Sequence, residues 1–248
     1  MKQKRLLIAL CALCSILWPF SGWGYTINDT YWGGTVQNAA PTYGDVIGYP
    51  EFSINGITVT QNGTLMTVKI TGQYFSYYVS NGGGNTVGDF GPGDLYLSSH
   101  GWHTSGGSAA TYFNTDQFTL SEGWDYVISK NGGIYQLSPN IADITMTNIA
   151  PLNPNNWSYR KNQAFIGGYN GPVGGYTNIP EDTLDSNGIT FVFDTKNMHL
   201  GSEIGLHWTM RCGNDVVEGG VPVPEPSTIL LLGAGILGAG IFVRKREK

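Results

Sequence analysis

The sequence predicts an all-β fold, an antiparallel β-sandwich of jelly-roll-like type, and three observations carry that prediction. Apolar residues between positions 52 and 210 recur with a period of two. Glycine-rich punctuation separates the alternating runs, as at Asn81-Gly82-Gly83-Gly84, Gly91-Pro92-Gly93, Ser105-Gly106-Gly107-Ser108 and Asn131-Gly132-Gly133. No stretch of ten or more residues in this region keeps a helical apolar stripe free of Gly and Pro. Short strands bounded by turns cannot bury their apolar faces singly, so two sheets must pack on each other. The absence of a fixed-length repeat argues against a propeller or solenoid.

Taken in order, Phe52-Ser53-Ile54-Asn55 and Ile57-Thr58-Val59-Thr60 flank Asn55-Gly56 as a strand bend or hairpin, and the next strand, 64–70, follows the Asn62-Gly63 turn. Leu65, Val68 and Ile70 do not share one face of that strand, which calls for a bulge near Met66 or burial on both sides. Further strands are expected at 73–79, 94–98, 118–120, 124–128, 133–137, 144–149, 163–166, 188–193 and 203–210. Trp124, Tyr126 and Trp208 lie within strand-like runs and are core candidates.

The two ends differ from this pattern. Lys2, Lys4 and Arg5 precede an apolar run at 6–18 and a breaker, Pro19-Phe20-Ser21-Gly22-Trp23-Gly24, which together read as a secretory signal peptide over 1–24. Cys11 and Cys14 in that run each follow Leu, where a lipidation site wants a small residue. At the other end Val223-Pro224-Glu225-Pro226-Ser227-Thr228 is a proline-flanked acid, and proline keeps such a segment extended. An uncharged apolar segment, 229–243, follows. Its fifteen residues fall short of the roughly 20 that span a bilayer comfortably, but a thin span with snorkelling ends suffices for one transmembrane helix. The tail 244–248, with Arg244, Lys245 and Arg246 as a basic stop, stays cytoplasmic, so everything before Pro222 faces outward. The expected domains are a signal peptide at 1–24, an ectodomain at 25–221 and a C-terminal signal at 222–248.

This order of motif, short span and basic end resembles the PEP-CTERM sorting signal of exported bacterial proteins. Pro224-Glu225-Pro226, segment 229–243 and Arg244 to Arg246 match it part by part. The resemblance implies processing by an exosortase, a membrane-embedded enzyme that cuts near the motif and releases or transfers its substrate to the cell surface or extracellular polymer. It also implies transit through the inner membrane, where the span anchors the protein before processing. The alternative is an ordinary tail anchor with a proline-rich stalk. Three stretches, 94–102, 124–127 and 207–215, resemble the ectodomains of other PEP-CTERM proteins, and no activity comes with that likeness.

Composition narrows the chemistry. The whole chain carries −5, whereas the ectodomain alone holds six basic and sixteen acidic side chains, a net −10. Nucleic acid is excluded as a partner, because phosphate binding needs a basic footprint. With both signal cysteines removed, Cys212 stands alone and no internal disulfide forms. Asp29 and Asp45 near the start, and Asn214 and Asp215 near the end, would supply oxygen ligands to calcium if the first and last strands lie side by side. Asp and Asn beside Gly serve equally as turn residues. Apart from that calcium candidate, no cofactor is expected.

Enzyme signatures are weak. His100 and His103 are the one close histidine pair and lack further ligands in sequence, no Gly-x-Ser-x-Gly is present, and Glu51, Glu122, Glu181 and Glu203 are the glutamates from which a glycosidase pair would be drawn. Trp32, Trp102 and Trp157 sit beside glycine-rich loops, where exposed rings stack on sugars. The sequence thus points to a non-enzymatic, exported cell-surface or extracellular-matrix protein associated with exopolysaccharide. A carbohydrate-binding module stabilised by calcium is the alternative, and a glycoside hydrolase is the third reading.

Overall fold

Residues 56–71 show at small scale why the chain forms sheets. Strands β2 (Gly56–Asn62) and β3 (Leu65–Thr71) pair antiparallel without a break, from Gly56 opposite Thr71 to Asn62 opposite Leu65. Ile57, Val59, Met66, Val68 and Ile70 point to one face and are buried, while Thr58, Thr60 and Lys69 point to the other and are exposed. At the turn Gly63 takes φ 62°, a conformation that a side chain opposes. No bulge interrupts the strand at Met66. Leu65 simply faces outward, 49% exposed, so the expected irregularity is corrected.

The computed structural model describes residues 22–30, 50–83, 91–104, 118, 122–130, 132–137, 145–146, 165–166, 169–172, 184–210, 213, 215–223 and 233, the strands between 145 and 172 by their backbone. Adding β1 (Trp23–Asn28), β4 (Pro92–Ser98), β5 (Tyr126–Ile128), β6 (Ile134–Leu137), β7 (Thr145–Met146), β8 (Phe165–Ile166), β9 (Tyr169–Pro172), β10 (Leu184–Asp185), β11 (Gly188–Asp194), β12 (Glu203–Met210) and β13 (Val216–Pro222) completes the strands. One sheet has the order β1-β2-β3-β11-β10, the second β13-β12-β4-β5-β6-β9, and β7 pairs with β8. All pairings are antiparallel. The two large sheets share one core: Val59, Val68, Phe191 and Phe193 from the first belong to the same cluster as Leu95, Leu97, Leu206 and Trp208 from the second. The antiparallel sandwich expected from the sequence is therefore the architecture.

Residues 73–79, expected as a strand, form a helix, α1 (Gln73–Ser80). Tyr74, Phe75 and Tyr78 fall on one helical face, and Tyr74 and Phe75 bury themselves against Trp208, at ring separations of 6.1 and 5.6 Å. Aromatic residues at i, i+1 and i+4 serve a helix as well as a strand, and the tertiary contact decides. Strand β13 lay beyond the expected strands, and β1 begins at Trp23, so the boundary expected after Gly24 falls inside it. Among the described residues no helix is long and apolar enough to cross a membrane, and of segment 229–243 only Gly233 lies within them.

Candidate functional site

In its β13, β12, β4 and β5 strands the second sheet buries both faces. On its outer side the register aligns Glu218 of β13 with His207 of β12, His207 with Tyr96 of β4, and Tyr96 with Val127 of β5. A second cluster forms on this row, with Tyr96, Phe118, Trp124, Val127 and Leu137 buried and Trp102 packed at its margin. Phe118 stacks on the His207 imidazole with centroids 4.1 Å apart and planes 23° from parallel, and Trp124 meets the same ring edge-on at 5.6 Å. The segment 99–102 approaches closely because Gly205 lacks a side chain: a Cβ there would lie 2.8 Å from the Gly101 carbonyl oxygen.

Within that cover sits a histidine–carboxyl pair. His207 Nδ1 and Glu218 Oε2 are 2.5 Å apart, with side-chain exposures of 0% and 1%. Glu218 Oε1 accepts the indole N–H of Trp102 at 2.6 Å. A carboxylate only accepts, so His207 carries a proton on Nδ1. Trp124 donates its indole N–H to Glu122 at 2.8 Å, also buried. Ser99 donates to Asp125 through its amide at 2.9 Å and through its hydroxyl, tying this cover to the start of β5. Burial raises the Asp125 carboxyl above its ordinary range and those Ser99 bonds oppose the rise. Polar side chains are tolerated in such a cover when hydrogen-bonded, as these are.

A second acidic meeting lies where the first and last strands cross. Asp29, just after β1, lies against Asp215, just before β13. Asp215 Oδ2 accepts the Ile54 amide at 2.6 Å, and Asp29 donates its own amide to the Asn55 carbonyl. Burial pushes the Asp29 carboxyl up to about 7, with the neighbouring Asp215 carboxyl acting against that rise, and neither Asp29 carboxyl oxygen finds a hydrogen-bond partner within the described residues. Two carboxyls at contact share a proton more readily than they both ionise. Asp45 and Asn214, the other members of the expected calcium set, lie outside the described residues. Among the described residues no three His, Cys, Asp or Glu side chains gather as a metal site. Other aspartates serve turns: Asp94 accepts the Lys130 amide, Asp185 those of Asn187 and Gly188, and Asp194 that of Lys196.

Of the expected ligand-stacking tryptophans, Trp102 is half-buried with its indole N–H given to Glu218, whereas Trp32 and Trp157 lie outside the described residues. Among the glutamates, Glu122 is buried on Trp124, Glu203 is exposed at the head of β12 with Oε1 3.4 Å from the Trp102 amide, Glu51 is half-buried, and Glu181 lies outside. His100 and His103 sit on an exposed loop where His103 Nε2 meets the His100 carbonyl at 3.2 Å. The sequence reading missed Glu218. Its signal was a single acid within Val216-Val217-Glu218-Gly219-Gly220-Val221, an otherwise apolar strand.

At the C-terminal edge β13 hands over directly to the tail. Pro222 pairs with Glu203, and the Val223 amide donates to the Ser202 carbonyl at 2.8 Å. Val223 packs on the main core, and Pro224 follows at once; Pro224, Glu225, Pro226, Ser227, Thr228, Arg244, Lys245 and Arg246 lie outside the described residues. A family model for the PEP-CTERM protein-sorting motif matches residues 222–246. This tail is a PEP-CTERM sorting signal. The PEP-CTERM match spans about a tenth of the chain and begins inside the last strand of the sandwich. It marks the protein as exported, with a C-terminal membrane-anchoring signal and an exosortase as its general processing partner. No curated protein and no solved structure matches the chain.

Proposed function

We propose that the sandwich is a non-catalytic structural component of the cell surface or extracellular matrix, delivered by its PEP-CTERM tail and associated with exopolysaccharide once released. The observation that carries this reading is the junction at Val223, where β13, an edge strand paired along its length with β12, runs into the tail that carries the sorting motif. Removing the chain beyond Val223 leaves the described strands of the sandwich intact, which suits a domain that outlives its anchor. The His207–Glu218 pair supports the non-catalytic part of the reading, because Trp102 and Phe118 seal it from substrate. Calcium-stabilised sugar binding is the second reading, favoured by the meeting of Asp29 with Asp215.

The test is intact mass and location in cells with and without exosortase. The tail, including Lys248, is lost only when the enzyme is present, and the trimmed protein fractionates with extracellular polymer. A protein that keeps Lys248 in the outermost layer defeats the proposal. In a glycan array the structural reading expects no binding by the folded domain. Binding to matrix polysaccharides that disappears with Trp32→Ala or Trp157→Ala, folding intact, would replace it with the second. Trp102→Ala is a poor probe, since it also strips a hydrogen bond from Glu218.

A further inference from the structure

Six Asn-Gly pairs lie in the ectodomain, at 55–56, 62–63, 81–82, 131–132, 170–171 and 187–188. Asparagine is chemically labile before glycine, because no Cβ keeps the glycine nitrogen away from the asparagine side-chain carbonyl. A folded chain permits that attack where the nitrogen has no acceptor, the asparagine amide has no partner and the side chain has room to swing. At most of the pairs the fold withholds at least one of these. Gly56 is buried between β1 and β3, opposite Asn28 and Thr71. Asn81 donates its side-chain amide to the Tyr77 carbonyl at 2.8 Å, and the Gly82 amide donates to the Val79 carbonyl at 3.2 Å. Asn187 donates to Asp185 Oδ2 at 3.4 Å, and the Gly188 amide to Asp185 Oδ1 at 3.0 Å. The Gly132 amide is given to the Ser129 carbonyl at 3.0 Å. Asn170-Gly171 lies within β9, described by its backbone.

Asn62-Gly63 differs on every count. It opens the exposed turn between β2 and β3, well inside the ectodomain. The Gly63 carbonyl accepts the Gln61 side-chain amide at 2.9 Å, which leaves the Gly63 nitrogen uninvolved. Among the described residues that nitrogen has no acceptor and the Asn62 side chain has no partner. A Cβ on Gly63 would meet nothing within 4 Å, so the Asn62 side chain has space to turn onto the nitrogen.

We propose that Asn62 is the modification site at which the folded domain deamidates, the Gly63 nitrogen displacing ammonia from the Asn62 side chain and water then opening the ring. Hydroxide takes the Gly63 amide proton, and the nitrogen lone pair forms a bond to Asn62 Cγ. The bond from Cγ to Nδ2 breaks, Nδ2 leaves as ammonia, and a succinimide remains. Water that cuts the succinimide at Cγ leaves aspartate, and water that cuts it at the main-chain carbonyl carbon leaves isoaspartate. Isoaspartate lengthens the main chain at the closing pair of the β2–β3 ladder, Asn62 opposite Leu65. Either product adds a carboxylate to a domain already at net −10. The chemistry needs only water and is independent of the sorting assignment.

The experiment ages the folded full chain in detergent at mildly alkaline pH and, in parallel, the same chain unfolded in urea. Each Asn-Gly peptide is then read by mass spectrometry, with isoaspartate and aspartate separated by chromatography. In the folded protein the 62–63 peptide converts about tenfold faster than those at 81–82, 131–132 and 187–188, each of which must first give up a hydrogen bond. In urea all the pairs convert at similar rates. Asn62→Gln, whose extra methylene enlarges the ring, loses the product at that position and leaves the slow sites as they were. Faster conversion of another pair in the folded protein overturns the proposal. So does a 62–63 peptide that stays intact while its unfolded counterpart converts, and so does the same spread of rates in urea, which would take the selection away from the fold.

Discussion

The outer faces of the two sheets differ in what lies on them. The first sheet presents Thr26, Thr58, Lys69 and Thr190 in one row and Thr60, Thr67 and Val192 in the next, with Thr26, Thr58, Thr60 and Lys69 exposed. The second presents Glu218, His207 and Tyr96, all buried beneath Phe118, Trp102 and Trp124. Both sheets follow the same alternation and share one inner core. The difference shows that an out-facing position on a strand is polar for two separate reasons. On the first sheet water satisfies it, and on the second a partner side chain must.

The sharpest way to break this contrast is Glu218→Ala. It removes the acceptor that His207 and Trp102 share inside the buried cluster, two hydrogen bonds to a charged group, and costs about 3–5 kcal/mol, read by denaturant unfolding. Glu218→Gln keeps an acceptor and costs less. If both variants unfold at the wild-type midpoint, the outer cover is not holding this pair.

A smaller effect belongs to Asp29, between the sheets. Its carboxyl ionises near 7 in the folded protein and near 3.8 unfolded, so the native state binds the extra proton in that interval. The contribution of Asp29 to stability is greatest below about 4 and falls as pH rises to about 7, by on the order of a few kcal/mol. The raised Asp125 contributes with the same sign, whereas Asp185, held low by the Asn187 amide, and Asp194, held low by the Thr64 side chain and then the Lys196 amide, contribute stability that disappears on acidification. Asp29→Asn flattens the fall in a urea titration repeated across pH. Added calcium raises the wild-type midpoint at pH 7 and leaves Asp29→Asn unmoved if the second reading holds. The smallest effect is expected of Thr58→Ala, within about 0.5 kcal/mol, because only solvent faces its side chain.

Much of this was legible beforehand, and the misses have physical reasons. β12 was read to the residue, because Ile204, Leu206 and Trp208 alternate cleanly with Glu203, Gly205 and His207. α1 was misread because eight residues carry too few turns to separate a period of 3.6 from one of two. The outer cluster was illegible because Phe118 and Trp102 are placed by loops, and no local rule says which face a loop will cover. Asp29 and Asp215 could be suspected of meeting, since first and last strands often neighbour each other, but the rise in the Asp29 carboxyl needed the burial that only the folded sheets supply.

By itself the chain determined the antiparallel β class and the sorting tail that marks it for export, because periodicity, proline placement and terminal charge are local properties that survive without a fold. Tertiary structure alone decided that a histidine and a glutamate eleven residues apart meet beneath a buried aromatic cluster. That outcome depends on strand order and on which surfaces meet, and such long-range choices are set by the summed burial of the whole core.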